Sequence, residues 1–382
     1  MKVGVFVAFA GRNCGGPEVF ERELVRAMSA LTPQHEYHLY CLDRRAPAVI
    51  GLEDESVVYH LLRPSVRAVS MLTSVPRAIA RTRPDVFHAP IVPPPFCPPD
   101  TVLNFSCSSL VYHPEFFPPL IRLRLRFLVH RNLPKVAKVI CPSKHVRDVT
   151  HDEFKVPMER LHVIYPGISP LFRPIDQNET RAHLEEKHGI LFPYFLFSGR
   201  WEPRKNLVRT LEAFALFKRN SRTEHRLVLT GGRSWGAADV DKVIRDLALE
   251  DTVVDLGKTP LDELPYLYGA ADALVYASLW EGFGLPIVEA MACGTPVITS
   301  KVSAMPETAG GAALLVDPYS VDDMAEAMHQ LATDGNLRQR LGALGLKRAQ
   351  SFSWEKTARG TLDVYDQLAG EKSTSELLNV QP

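Results

Sequence analysis

The stretch Ala273-Leu-Val-Tyr-Ala277, followed by Glu281-Gly-Phe-Gly-Leu-Pro-Ile-Val-Glu289 and Ala290-Met-Ala-Cys-Gly294, reads as a strand, a glycine-bearing loop and a short helix. A short apolar run ahead of turn residues suits a buried strand. Pro286 suits the first helical turn, and Gly294 suits its end. Backbone N–H groups at such a helix start point outward and carry the positive end of the dipole, which favours a phosphate. Gly282 and Gly284 let that backbone come close. Glu281 then stands in the loop beside the anion, while Glu289, one turn into the helix, can turn back to accept hydrogen bonds from sugar hydroxyls. On local grounds a second reading stays open, with Glu281 a helix cap and Glu289 a solvated surface residue.

The same rhythm runs along the whole chain. β-rich runs at Val3 to Phe9, Glu36 to Cys41, Val57 to Leu62, Val86 to Ala89, Val102 to Phe105 and Val139 to Cys141 alternate with helix-like stretches such as Pro17 to Leu31. A second series follows at Tyr194 to Ser198, Arg226 to Thr230, Val253 to Leu256, Ala273 to Tyr276 and Val297 to Thr299. Alternation of this kind argues for βαβ units and a parallel sheet. Each half therefore reads as one doubly wound α/β domain, and 382 residues suit two of them. The proline- and glycine-rich run Pro166 to Pro174 is where few contacts should cross, so the hinge is placed there. The expected domains are 1–168 and 169–352, then a helix over 353–370 and a fraying polar tail over 371–382.

Composition removes several classes of function. With 44 basic and 44 acidic residues the net charge is zero, so no global field draws in nucleic acid. No run approaches the roughly twenty apolar residues of a membrane span. Val3 to Ala8 is too short for the apolar core of a secretory signal. The six cysteines, Cys14, Cys41, Cys97, Cys107, Cys141 and Cys293, show neither a CxxC pair nor metal spacing with histidine, which fits reduced thiols in a cytoplasmic protein. Asp239-Val-Asp241 is the one Asp-x-Asp pair of the metal-dependent kind, and its place at the start of a helical pattern is explained by the helix dipole.

From Leu256 to Pro318, a stretch containing LPYLYGAADALVYASLWEGFGLPIVEAMACGTPVITS, the chain resembles the carboxyl-terminal half of retaining glycosyltransferases of the GT-B fold, family 4. Ser198-Gly-Arg-Trp-Glu-Pro-Arg-Lys-Asn206 is similar to that family's basic diphosphate-contacting loop. Tyr165-Pro-Gly-Ile168 is similar to its interdomain segment, and Gly15-Gly16-Pro17-Glu18 to its double glycine. The resemblance implies two Rossmann-like domains facing across a cleft, with the final helix returning to the first. It implies a hexose moved from a nucleotide-diphosphate sugar to a saccharide or lipid-linked saccharide, with retention of configuration and neither metal nor cofactor. Similarity to polysaccharide mannosyltransferases makes GDP-mannose the expected donor.

Breaking an anomeric C–O bond puts negative charge on the leaving diphosphate, and something positive must meet it. Arg200 and Lys205, on one strand-to-helix loop, are the candidates, the first by a fork of N–H donors and the second as a point charge. Arg204 and Lys205 also read as a plain solvated basic pair, and the resemblance favours Lys205 over Arg204. Arg200, Lys205 and Glu281 form the expected catalytic set. Gly282, Phe283, Gly284 and Leu285 are expected on sugar and phosphate, Glu289 on the ribose, and Gly15 and Gly16 on donor phosphate. The chain departs from its family at Ser106-Cys107, where members carry a His-Asp pair some seven residues before His113-Pro-Glu115. Ser106, His88 and His113 are the acceptor-side candidates. Two other readings stay open: a nucleotide-sugar epimerase of the same fold, which would use the donor cleft without an acceptor, and, because of that departure, a non-catalytic donor-binding partner of another transferase.

Pro118 to Arg147 holds eight arginines and lysines and no acid, with Leu120, Ile121, Leu123, Leu125, Phe127 and Leu128 interleaved. A basic amphipathic helix of this kind can rest on an anionic membrane surface, here the inner membrane face. The plainer reading is a helix with one face in the core and arginines outside.

Overall fold

The computed structural model describes the backbone of residues 1–12, 15–96, 98–106, 113–116 and 119–379. The chain forms two compact units, Met1–Gly167 with Ser353–Pro382, and Ile168–Phe352. The crossing thus falls inside the proline- and glycine-rich run, one residue before the expected boundary. Gly167 is required there: a Cβ would lie 2.3 Å from the backbone nitrogen of Trp354.

The first unit holds a parallel sheet of seven strands: β1 (Lys2–Val7), β2 (Glu36–Cys41), β3 (Val57–Leu61), β4 (Val86–Ile91), β5 (Thr101–Phe105), β6 (Lys138–Cys141) and β7 (Leu161–Val163), in the order β3-β2-β1-β4-β5-β6-β7. β1 is apolar on both faces, as a central parallel strand must be. Val3, Val5 and Val7 meet Leu24, Val25 and Met28 of the first helix (Gly16–Leu31) and Ala358, Leu362 and Tyr365 of the final one. Phe6 and Ala8 meet Met71, Val75, Val129 and Phe154 on the other side.

The final helix runs over Trp354–Asn379, so the polar tail expected from 371 is helical through 379. Lys138 Nζ holds Glu371 Oε1 at 2.6 Å beyond the end of the apolar pattern. The basic stretch forms a helix over Pro119–Asn132. Its Leu125, Leu128 and Val129 pack on the core, whereas Leu120, Leu123 and Phe127 are 80%, 69% and 62% exposed. The plainer reading, a helix with one face on the core, is met by Leu125, Leu128 and Val129. No helix among the described residues is long and apolar enough to cross a membrane.

The second unit holds six parallel strands: β8 (Tyr194–Ser198), β9 (Arg226–Thr230), β10 (Val253–Asp255), β11 (Ala273–Tyr276), β12 (Val297–Ser300) and β13 (Leu314–Val316), in the order β10-β9-β8-β11-β12-β13. Phe195 and Phe197 of β8 face Leu211, Phe214 and Met328, while Tyr194 and Leu196 face Leu267, Ile287 and Met291. The strand order reverses between β8 and β11, so the loops leaving these neighbours part and open a crevice at their carboxyl ends. Gly199–Asn206 and Ala277–Gly284 are those two loops. Asp239 lies in the first turn of the helix Ala237–Asp246, and Asp241 pairs with Arg233, as a dipole and ion-pair account requires.

Candidate active site

The cations reach the site on a short 3-10 turn, Pro203–Lys205. Asn206 ends it in the left-handed region (φ 60), which asparagine tolerates. Its Nδ2 donates to the carbonyls of Ala277 at 2.9 Å and Pro318 at 2.7 Å. The Leu279 N–H donates to the Arg204 carbonyl at 2.9 Å, so the two loops are tied together. That tie brings Arg204 and Lys205 onto the Glu281 carboxylate. Arg204 Nη1 stands 2.7 Å from Oε2, and Lys205 Nζ stands 2.7 Å from Oε1. The Tyr276 hydroxyl donates to Oε1 at 2.9 Å and accepts from Lys205 Nζ, which also lies 4.6 Å from the centre of the tyrosine ring.

Burial opposes ionisation of Glu281, but the charges of Arg204 and Lys205 and their hydrogen bonds outweigh it and hold the carboxyl at about 2. Burial lowers the Lys205 ammonium below the ordinary lysine value, with Glu281 opposing that shift. For Arg204, burial is overcome by Glu281 and the guanidinium is held more firmly charged. The expectation that left Arg204 as a solvated neighbour is thereby corrected: Arg204 holds half of the carboxylate and also donates to the Trp280 carbonyl at 2.8 Å. Arg200, expected to act with Lys205, stands apart from this cluster. Its side chain is exposed, 3.4 Å from Glu202 and 3.3 Å from Ser234 Oγ, contacts worth little in water.

The helix behind the loop runs over Leu285–Ala292, with Gly284 at its N-cap in the left-handed region (φ 99) and Pro286 in its first turn. An added Cβ on Gly284 would lie 2.9 Å from Ile287 Cδ1, so position and conformation both call for glycine. Two hydroxyls hold the loop. Ser303 Oγ accepts from the Glu281 N–H at 3.1 Å and donates to its carbonyl at 2.7 Å. Thr308 Oγ1 donates to the Phe283 carbonyl at 2.6 Å. Phe283 is buried edge-on against Phe352 at 5.3 Å. Neither hydroxyl carries a local sequence signal; each lies more than twenty residues from its partner and arrives on the next crossover.

Glu289 is half-buried and accepts from the Tyr268 hydroxyl at 3.1 Å. Burial pushes its carboxyl up to about 7, with the tyrosine hydrogen bond opposing. Below that value the free protein holds Glu289 protonated, and a ligand hydroxyl donating to it favours the ionised form. Donor affinity is therefore expected to rise as pH increases through about 7 and then to level off. Glu289→Ala should weaken binding by about 1.5 to 3 kcal/mol and remove that rise. Calorimetry across this range checks both, and unchanged affinity in the folded variant removes Glu289 from the donor site.

In the first unit, Glu21 of the first helix accepts from the N–H groups of Ala8, Phe9 and Ala10 at 3.0, 2.8 and 3.0 Å. Glu18 accepts from Gly11 at 3.0 Å. These side chains, of which Glu21 was not singled out in the sequence, build the loop after β1. Gly15 caps the helix with φ 71 and an added Cβ would meet nothing within 4 Å; Gly16 begins the helix. His88, expected on the acceptor side, is enclosed beneath the final helix. It is 3% exposed, its Nδ1 is 2.6 Å from the Tyr365 hydroxyl of the final helix, and burial lowers its pKa to about 4. His113 stacks on Phe116 at 4.7 Å with Nδ1 2.9 Å from Glu115. Ser106 is exposed just past β5, and Cys107 lies outside the described residues. Cys41, Cys141 and Cys293 are free and buried, and no group of three metal-ligating side chains occurs among the described residues.

Residues 14–170 match Glycosyltransferase Family 4, and residues 180–348 match Glycosyl transferases group 1. The O-antigen chain mannosyltransferase B of Escherichia coli is 31% identical over 325 residues, 84% of this chain and 81% of that protein. Sucrose-phosphate synthase from Thermosynechococcus elongatus superimposes with a TM-score of 0.79 at 22% identity, over 97% of this chain and 100% of that one. Anabaena HepE, solved in complex with UDP and glucose, superimposes with a TM-score of 0.74 at 18% identity, over 96% and 100%. Two Rossmann-like parallel sheets and these neighbours define a GT-B glycosyltransferase fold. The chain belongs to the group 1 glycosyltransferases, family 4.

Proposed function

We propose that the protein moves a hexose, with retention of anomeric configuration, from a nucleotide-diphosphate sugar to a saccharide or lipid-linked saccharide. The observation that carries this reading is the Glu281 carboxylate held by Arg204 and Lys205 beside the start of the Leu285–Ala292 helix. Cations and outward backbone N–H groups meet there, which is the chemistry a departing diphosphate needs without a metal. Lys205 meets the leaving group, Glu281 orients the sugar, Gly282 to Leu285 contact sugar and phosphate, and Glu289 accepts from the ribose. Exposed Arg200 turns to the diphosphate on binding. Gly15 and Gly16 supply donor-phosphate contacts, and Ser106 with His113 belongs to the acceptor side. Similarity to an O-antigen mannosyltransferase supports GDP-mannose as donor.

A panel of GDP-mannose, UDP-glucose and ADP-glucose, read by thermal shift and then by release of the nucleoside diphosphate in excess EDTA, tests this. GDP-mannose should stabilise the protein most, and turnover should persist with the chelator. Silence restored by manganese or magnesium overturns the metal-free reading; stabilisation without turnover across saccharide acceptors supports a donor-binding partner instead.

We propose also that the Pro119–Asn132 helix, whose Leu120, Leu123 and Phe127 are exposed among Arg122, Arg126 and Arg131, rests on an anionic membrane surface at the cytoplasmic face. Co-sedimentation should be strong with phosphatidylglycerol-containing vesicles, weak with phosphatidylcholine alone, and lost in Leu123→Glu/Phe127→Glu. Equal binding to both vesicle types contradicts it.

A further inference from the structure

β11 is apolar along its length, and Tyr276 is 1% exposed with its ring packed among Leu196, Ile287 and Met291, below Gly284. Phenylalanine would fill that space equally well. A buried tyrosine hydroxyl needs a partner. Tyr194, on the neighbouring strand, donates to a backbone carbonyl, that of Leu267, at 2.7 Å. Tyr276 instead places its hydroxyl on both members of an ion pair, donating to Glu281 Oε1 at 2.9 Å and accepting from Lys205 Nζ.

A lysine ammonium has three N–H donors on a flexible four-carbon stem. One of them meets Glu281 Oε1 at 2.7 Å and a second meets the Tyr276 oxygen. Tetrahedral nitrogen then sets where the third one points. Glu281 cannot turn to relax this arrangement, because Arg204 holds its other oxygen at 2.7 Å. We propose that Tyr276 is a positioning residue for sugar transfer, its hydroxyl fixing the direction in which Lys205 offers its remaining N–H to the donor diphosphate. The inference rests on the proposed role of Lys205. A charge partner aimed in advance stabilises the transition state without reorganising as the bond breaks.

Tyr276→Phe removes only the O–H and keeps the ring. With the nucleotide sugar selected by the panel, GDP-mannose first, kcat should fall about tenfold or more, the scale of one hydrogen bond to a charged group, with KM little changed. A second readout needs no substrate. In protein carrying 13Cε-lysine, the Lys205 resonance, assigned by its loss in Lys205→Arg, should titrate at lower pH in Tyr276→Phe, because the hydroxyl oxygen favours the charged ammonium. Altered stability with unchanged kcat, KM and Lys205 titration overturns the inference. If Lys205→Ala keeps wild-type turnover, the proposed function of that lysine fails as well. If Lys205→Ala is inactive while Tyr276→Phe matches wild type in both readouts, only the role of Tyr276 falls.

Discussion

Lys205→Ala is expected to lose about a hundredfold or more in kcat while donor KM changes little, the scale of deleting one preorganised charge partner. The diphosphate gains charge only as the anomeric bond breaks, so a cation aimed at it contributes more in the transition state than in the bound complex. In the protein without donor, the ammonium sits 2.7 Å from Glu281 Oε1. The fold should survive the substitution, because Arg204 still pairs with the same carboxylate at 2.7 Å. Steady-state kinetics beside a circular dichroism spectrum checks both statements. A raised KM with intact kcat would move the leaving-group role to another residue. Arg204→Ala should also impair turnover, since it frees Glu281 Oε2; a full rate in that variant would show the arginine to be a spectator.

Glu281→Ala should cost about 3 to 5 kcal/mol of stability in the second unit, as well as turnover, because it strips the shared counter-charge from two largely enclosed cations. The sign with pH follows from its depressed pKa. Against an ordinary value of 4.5, a folded value of about 2 means that the carboxylate's contribution is complete above 4.5 and is lost as pH falls toward 2. An anion in the same place should substitute in part, so inorganic phosphate or GDP should raise the melting temperature of Glu281→Ala more than that of wild type. A denaturation midpoint equal to wild type would contradict the ion-pair account.

The central strands were legible because buried parallel strands are continuous apolar runs. Glu36–Cys41, Tyr194–Ser198, Arg226–Thr230 and Ala273–Tyr276 fall where the pattern puts them. Leu161–Val163 and Leu314–Val316, three-residue strands at sheet edges, did not stand out, although Val253–Asp255, equally short and at an edge, did. The final helix outlasts its apolar periodicity, because Glu371 gains an ion pair with Lys138 that no local signal announces.

Within the site, the glycine loop and the helix start were readable from Gly284 and Pro286. The choice between Arg204 and Lys205 was not, because a single 3-10 turn and the Asn206 clamp turn both neighbours toward one carboxylate. Tyr268 and Tyr276 were hidden for a related reason. Their rings satisfy the apolar pattern, and only their hydroxyls, which reach Glu289 and Glu281, belong to the site. His88 looked available at the end of an apolar run, yet the final helix covers it from 277 residues away.

The central claim is that a donor diphosphate is received at the start of the Leu285–Ala292 helix by the cations that now hold Glu281. A crystal structure with GDP bound, grown in EDTA, tests it most directly. The β-phosphate should lie against the backbone N–H groups of Gly282 to Leu285 within hydrogen-bond distance of Lys205 Nζ, with no metal between them. A diphosphate bound elsewhere, or bridged to carboxylates by a metal while Lys205 touches only Glu281 and Tyr276, would contradict the account.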